Sequence, residues 1–193
     1  QACAAVSAII GNGIVTATLE LMDQKMMEIL EDYTHTGLPV QAGAALIIEV
    51  DGDSAGLQAQ IDHIISIIKQ FNAFGLRSAK DEEERTAIWF ARKSVGATLA
   101  RLADAFFPAD PTVPRSLLGE ALRRMTKICE DRGLQAYYVS HAGDGNLHPH
   151  LLIMDTDDEK LMENVRETGK LMLQEAVRLG ATISGEHGIG FEK

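Results

Sequence analysis

The stretch Leu134–Met154, "LQAYYVSHAGDGNLHPHLLIM", holds two apolar-rich runs either side of Gly-Asp-Gly-Asn. Asp144-Gly145 is a strong hairpin signal, because a two-residue type I′ turn needs positive φ at both central positions. A turn centred there predicts strands 134–141 and 146–154. Cross-strand partners are then Gly143 with Asn146, Ala142 with Leu147 and His141 with His148. Directly opposed residues share a face, so His141 and His148 are expected side by side, within about 5 Å of each other at Cβ. His150, two residues on, shares that face, and the residue expected across from it is Val139.

The rest of the chain is read outward from this hairpin. After it comes a helix at 157–179, ended by Gly180, and a short strand at 181–184 leading into "GEHGIG". Before it, three prolines make 104–114 extended, and a helix at 115–131 ends near Gly133. Further upstream are a helix over 3–11, a strand over 14–23 and a helix over 23–35 with Asp23 as its cap. A continuous apolar strand over 42–52, a helix over 54–75 and a short strand over 76–80 follow. The segment 81–103 is acidic in its first turn and basic later, which predicts one long helix. Both halves thus approach the order β-α-β-β-α-β. The expected fold is α+β: two ferredoxin-like subdomains with antiparallel sheets, 1–80 and 104–193, joined by the helix 81–103.

Composition sets limits on function. The chain has 193 residues and is 46% hydrophobic, with a formal net charge of −10. That acidity speaks against a nucleic-acid surface, which needs clustered Lys and Arg. No apolar run approaches the roughly 20 residues of a membrane span. Cys3 and Cys129 stand far apart in no metal or redox spacing, and no disulfide is expected between them. The start without Met and the end straight after a Gly-rich turn read as a piece of something longer.

Four of the six histidines fall between 141 and 187. His35 and His63 lie on helices with no partner pattern and read as structural. A divalent ion held by two histidines usually takes a carboxylate as third ligand. Glu186 can supply it, because the glycines of "GEHGIG" free the backbone to turn, while His187 is directed at a substrate beside the ion. "GEHGIG" lacks the GxGxxG order and its helix, so a dinucleotide site is not indicated.

"HAGDGNLHPH" and "SGEHGIGFEK" resemble signature segments of the C-terminal cap domain of FAD-linked oxidases of the vanillyl-alcohol-oxidase type. "TATLELMDQKMMEILEDYTHTGLPVQAGAALIIEVDG", "IWFARKSVGATLAR" and "DPTVPRSLLGEAL" also agree, so the resemblance spans nearly the whole chain. It is strongest toward the glycolate oxidase and D-lactate dehydrogenase branch. It implies a flavin-dependent 2-hydroxy acid dehydrogenase whose FAD is bound mainly by an N-terminal domain upstream. It implies His141, His148 and Glu186 as ligands of a divalent metal such as Zn or Mn, and His187 as general base. Arg92 matches the arginine that holds the substrate carboxylate, and His150 takes a substrate-binding place. Pro108 and Gly96 stand where the 2-hydroxyglutarate branch has a lysine and a threonine, which favours a smaller acid such as glycolate or D-lactate. The resemblance further implies partner oxidase subunits, and a cytoplasmic protein peripheral to the membrane through them. The competing readings are a free-standing His/Glu metallohydrolase, and a subunit-docking module whose histidines are structural.

Overall fold

The computed structural model describes residues 1–190. Its core is one five-stranded antiparallel sheet with helices on both faces. The strands are β1 (Thr18–Asp23), β2 (Ala44–Glu49), β3 (Ala105–Pro108), β4 (Ala136–His141) and β5 (Asn146–Ile153). They lie in the order β2-β1-β4-β5-β3. The helices are α1 (Ala2–Gly11), α2 (Gln24–Thr34), α3 (Ser54–Lys69), α4 (Glu82–Lys93), α5 (Val95–Leu102), α6 (Leu118–Asp131) and α7 (Glu159–Arg178). Among the described residues no helix is long and apolar enough to cross a membrane.

Strand alternation sorts the two faces. Leu19, Leu21, Tyr138, Leu147, Leu151 and Ile153 point to one side and pack with α1, α3, α6 and α7. Met22, Ile47, Val139 and Leu152 point to the other, under α2, α4 and α5. The same alternation puts Glu20, His141, His148 and His150 on this second face, beyond the edge of its apolar cluster. Asp23 caps α2, accepting from Met26 N at 3.0 Å, and also accepts from Tyr138 N at 3.1 Å, so helix start and β4 share one anchor. His35, called structural, closes α2 in the left-handed region at φ 50°, while His63 is exposed on α3.

The α+β class and antiparallel pairing agree with the sequence reading, but the two halves do not form separate sheets. β1 pairs with β4, with Glu20 opposite His141 and Met22 opposite Val139, and this pairing fuses them. The expected helix 81–103 is interrupted at Ser94, whose hydroxyl bonds back to Phe90 O at 2.7 Å. A serine hydroxyl taking a carbonyl of the preceding turn bends helices, and β-branched Val95 with Gly96 just beyond offers no resistance. Helix 54–75 stops at Lys69, and no strand forms over 76–80. The expected strand 181–184 is reduced to bridges of Thr182 with Thr112 and Ser184 with Asp110.

The hairpin register also differs. His141 faces Asn146, Val139 faces His148 and Tyr137 faces His150. The connection is the four-residue turn 142–145, with positive φ at Gly145 (79°) but not at Asp144. The cause is tertiary: Val113 N donates to Gly145 O at 2.9 Å, pinning the turn beneath the 109–113 segment. Because side chains alternate with period two, a slip of two residues leaves every histidine on its expected face.

A Cβ at Gly145 would stand 2.1 Å from Val113 O. Gly145→Ala is therefore expected to cost on the order of 2 kcal/mol or more, through strain at positive φ and displacement of the 109–113 segment. A urea titration followed by circular dichroism checks this; an unchanged midpoint would contradict it.

Candidate functional site

The site is built where the second face of the sheet meets the loop 184–188. Asp110, fully buried just after β3, organises that loop. One carboxylate oxygen accepts from Asn146 Nδ2 at 2.7 Å. The other accepts from Ser184 Oγ at 2.7 Å, Glu186 N at 3.1 Å and His187 N at 2.7 Å. Burial alone would raise the Asp110 pKa, but these donors outweigh it and hold the carboxyl well below the usual range. The loop is also pressed close to the sheet: a Cβ at Gly185 would lie 2.2 Å from Asn146 Nδ2 and 2.4 Å from Thr112 Oγ1.

Held this way, Glu186 points its carboxylate between three imidazoles. Its Oε1 lies 3.0 Å from His148 Nε2 and 3.5 Å from both His141 Nε2 and His187 Nε2. The rings are packed against one another, His141 edge-on to His148 at 5.2 Å and His187 stacked on His148 at 5.0 Å between centroids. His148 is buried and pushed down to about 4 by desolvation and by neighbouring His141. Its neutral imidazole keeps a lone pair available as a ligand.

On the far side stands Glu20, almost wholly buried on β1. Glu20 Oε1 is 2.6 Å from His141 Nδ1, and Glu20 Oε2 accepts from Arg92 Nε at 2.9 Å. Burial pushes the Glu20 pKa up, but His141 and Arg92 win and hold it low. The hydrogen bond to Glu20 raises the His141 pKa against its own desolvation. Arg92 Nη1 and Nη2 donate to nothing among the described residues. His150 is buried against Phe106 at 5.6 Å between rings, and desolvation pushes it down to about 4.

The structure thus brings His141, His148, Glu186 and His187 into one cluster. Arg92 joins it through Glu20, and His150 lies further along β5. Glu186 Oε1 stands 3.0–3.5 Å from the three surrounding Nε2 atoms, and donors to one tetrahedral ion with bonds of about 2.0–2.2 Å stand about 3.3–3.6 Å apart. Among the described residues, the set whose donor atoms all lie within 4.8 Å of one another is Asp110, His148, Glu186 and His187, and His141, expected as a ligand, stands outside it. Sequence reading missed Asp110 and Glu20. Glu20 was signalled by a lone charge inside the apolar run "LELM", and Asp110 by an acid set between prolines that exclude a helix.

All of residues 1–193 match the family described as FAD linked oxidases, C-terminal domain, and the chain belongs to it. It is 36% identical over 189 residues to glycolate oxidase subunit GlcD of Escherichia coli, covering 98% of this chain and 38% of that protein. It is 38% identical over 185 residues to the GlcD of Bacillus subtilis, covering 96% and 39%. A mitochondrial D-lactate dehydrogenase (cytochrome) of Kluyveromyces lactis is 29% identical over 195 residues, covering 97% and 33%. The chain therefore spans little more than a third of these relatives. A solved alkyldihydroxyacetonephosphate synthase shares the fold at TM-score 0.61 and 17% identity, covering 96% of this chain and 38% of that one.

Replacing Asp110 by Asn removes the charge that four donors converge on. Its folded pKa is depressed, so its stabilisation is present above the ordinary carboxylate pKa of about 3.9 and fades as pH falls below it. Asp110→Asn should lower stability at pH 7 by roughly 2 kcal/mol or more and flatten the acid limb of the stability profile. Denaturation at pH 3, 5 and 7 measures both; an unchanged acid limb would contradict the assignment.

Proposed function

We propose that this domain forms the substrate site of an FAD-dependent 2-hydroxy acid oxidoreductase that converts glycolate or D-lactate to the 2-oxo acid. The observation that carries the reading is the convergence of three imidazole Nε2 atoms on Glu186 Oε1 beside the Glu20-anchored Arg92. The kinship with glycolate oxidase subunits and a D-lactate dehydrogenase supports it. We read the chain as one cap domain, residues 1–193, whose FAD-binding partner is an N-terminal domain outside this sequence.

The substrate carboxylate binds the free Nη side of Arg92, whose planar fork suits a carboxylate. FAD supplies the hydride acceptor. His141, His148 and Glu186 would hold a divalent ion such as Zn or Mn, which would lower the proton affinity of a substrate hydroxyl beside it. His187 takes the hydroxyl proton at its imidazole as the Cα–H pair leaves as hydride, giving the 2-oxo acid. His150, neutral by burial, forms an uncharged wall beside the acid. Pro108 is the residue opposite His150 in the β3–β5 pairing. That position offers no cation to a second carboxylate, which supports a small monocarboxylate. The designation of the relatives as a subunit supports docking onto further oxidase subunits, in the cytoplasm or at the membrane surface through them.

The test is steady-state oxidation of glycolate and D-lactate by the FAD-loaded protein carrying this domain, with a dye as acceptor. His187→Asn is expected to lower kcat by about 10²–10⁴-fold while Zn²⁺ stays bound. Turnover near that of the unaltered protein would remove His187 from the role of base. Activity unaffected by a strong chelator would remove the metal.

A further inference from the structure

Glu20 has no part in the roles above, yet it is 3% exposed and touches two of the residues that carry them. A carboxylate accepts hydrogen bonds and does not donate them. At 2.6 Å, His141 must therefore present Nδ1–H to Glu20 Oε1. In the neutral ring the lone pair then lies on Nε2, the atom aimed at Glu186 3.5 Å away. The second oxygen, Oε2, takes Arg92 Nε at 2.9 Å. This leaves the guanidinium's Nη groups outward, with 16% of the Arg92 side chain exposed.

We infer that Glu20 is a positioning residue: a single buried carboxylate fixes the His141 tautomer and the Arg92 fork together, and so sets the spacing between the metal-binding and carboxylate-binding halves of the site. The strand pairing makes this possible. Glu20 sits directly opposite His141 in the β1–β4 register, so both side chains leave the same sheet face. Arg92 comes down from α4 on that face, its side chain crossing to β1. Among the described residues no other group bonds to both His141 and Arg92. The cost of burying a charge at β1 is met by two charge-assisted bonds. The inference rests on the proposed function for the identity of what Arg92 and His141 bind, but not for the tautomer.

Glu20→Gln keeps the shape and changes the chemistry. The amide can still accept from Arg92 through its oxygen, and it then turns its NH₂ toward His141. That reverses the bond: His141 Nδ1 becomes the acceptor and the proton moves to Nε2, where it blocks coordination. Three readouts follow in the protein carrying this domain. ¹⁵N–¹H correlation spectra of the metal-free protein should show His141 as the Nδ1–H tautomer, and as Nε2–H in Glu20→Gln. Calorimetric Zn²⁺ affinity should fall about 10–100-fold in Glu20→Gln, the usual effect of removing an outer partner of a metal-binding histidine. KM for the hydroxy acid should rise more than kcat falls, and Glu20→Asp should recover part of both losses.

If Glu20→Gln matches the unaltered protein in tautomer, Zn²⁺ affinity and KM, the inference is overturned. If the unaltered protein binds no Zn²⁺, the metal part of the proposed function fails instead. Glu20 then stands or falls on the tautomer and on KM. Should Glu20→Gln not fold, the unaltered protein carries the test by itself, and a His141 found as the Nε2–H tautomer overturns the inference.

Discussion

A carboxylate with no exposure to water is unstable unless it is fully hydrogen-bonded, and Asp110 meets that demand from two segments at once. Its donors come from β5 (Asn146) and from the 184–187 loop. Removing the carboxylate would strand two backbone N–H groups, a hydroxyl and an amide. The loop therefore has one well-satisfied position, and in that position Glu186 and His187 face the histidine hairpin. Adjacent residues of a regular strand point to opposite faces. They can serve one cluster only because the loop is folded around Asp110 and is no strand.

The second constraint comes from the sheet itself. Pairing β1 against β4 welds the two halves and delivers Glu20 to His141. Two buried acids then stand on opposite sides of the cluster, Glu20 behind His141 and Asp110 behind the 184–187 loop. Glu186, half exposed, is the acid left at the centre. The chain's net charge of −10 is thus not spread evenly in its effect. The acids that matter to the site are those taken out of water, where each interaction is stronger than at the surface.

Much of this was legible in the sequence because it depends on period and composition. The histidine face of the hairpin survives an error of two residues in register, since alternation has period two. The Asp23 cap, the extended 104–114 segment and the turning of "GEHG" all follow from local chemistry. What was not legible is non-local. The turn is widened by Val113 reaching Gly145, a contact between segments 32 residues apart. The break at Ser94 is local, a hydroxyl bonding the carbonyl four residues back, but it leaves no mark on the periodicity. The single sheet depends on which edge β1 selects. Asp110 and Glu20 left only the mark of an acid in an unusual place, because the partners that give them a role lie 36 to 121 residues away.

A loop anchored on a buried acid brings Glu186 to the hairpin histidines, and the proposed function has that cluster hold a divalent ion. Anomalous X-ray diffraction at the zinc edge, from crystals of the protein carrying this domain grown with Zn²⁺, tests it most directly. One peak is expected, bounded by His141 Nε2, His148 Nε2 and Glu186, each at about 2.0–2.2 Å. A peak elsewhere on the domain, or none between these three residues at saturating Zn²⁺, would contradict it.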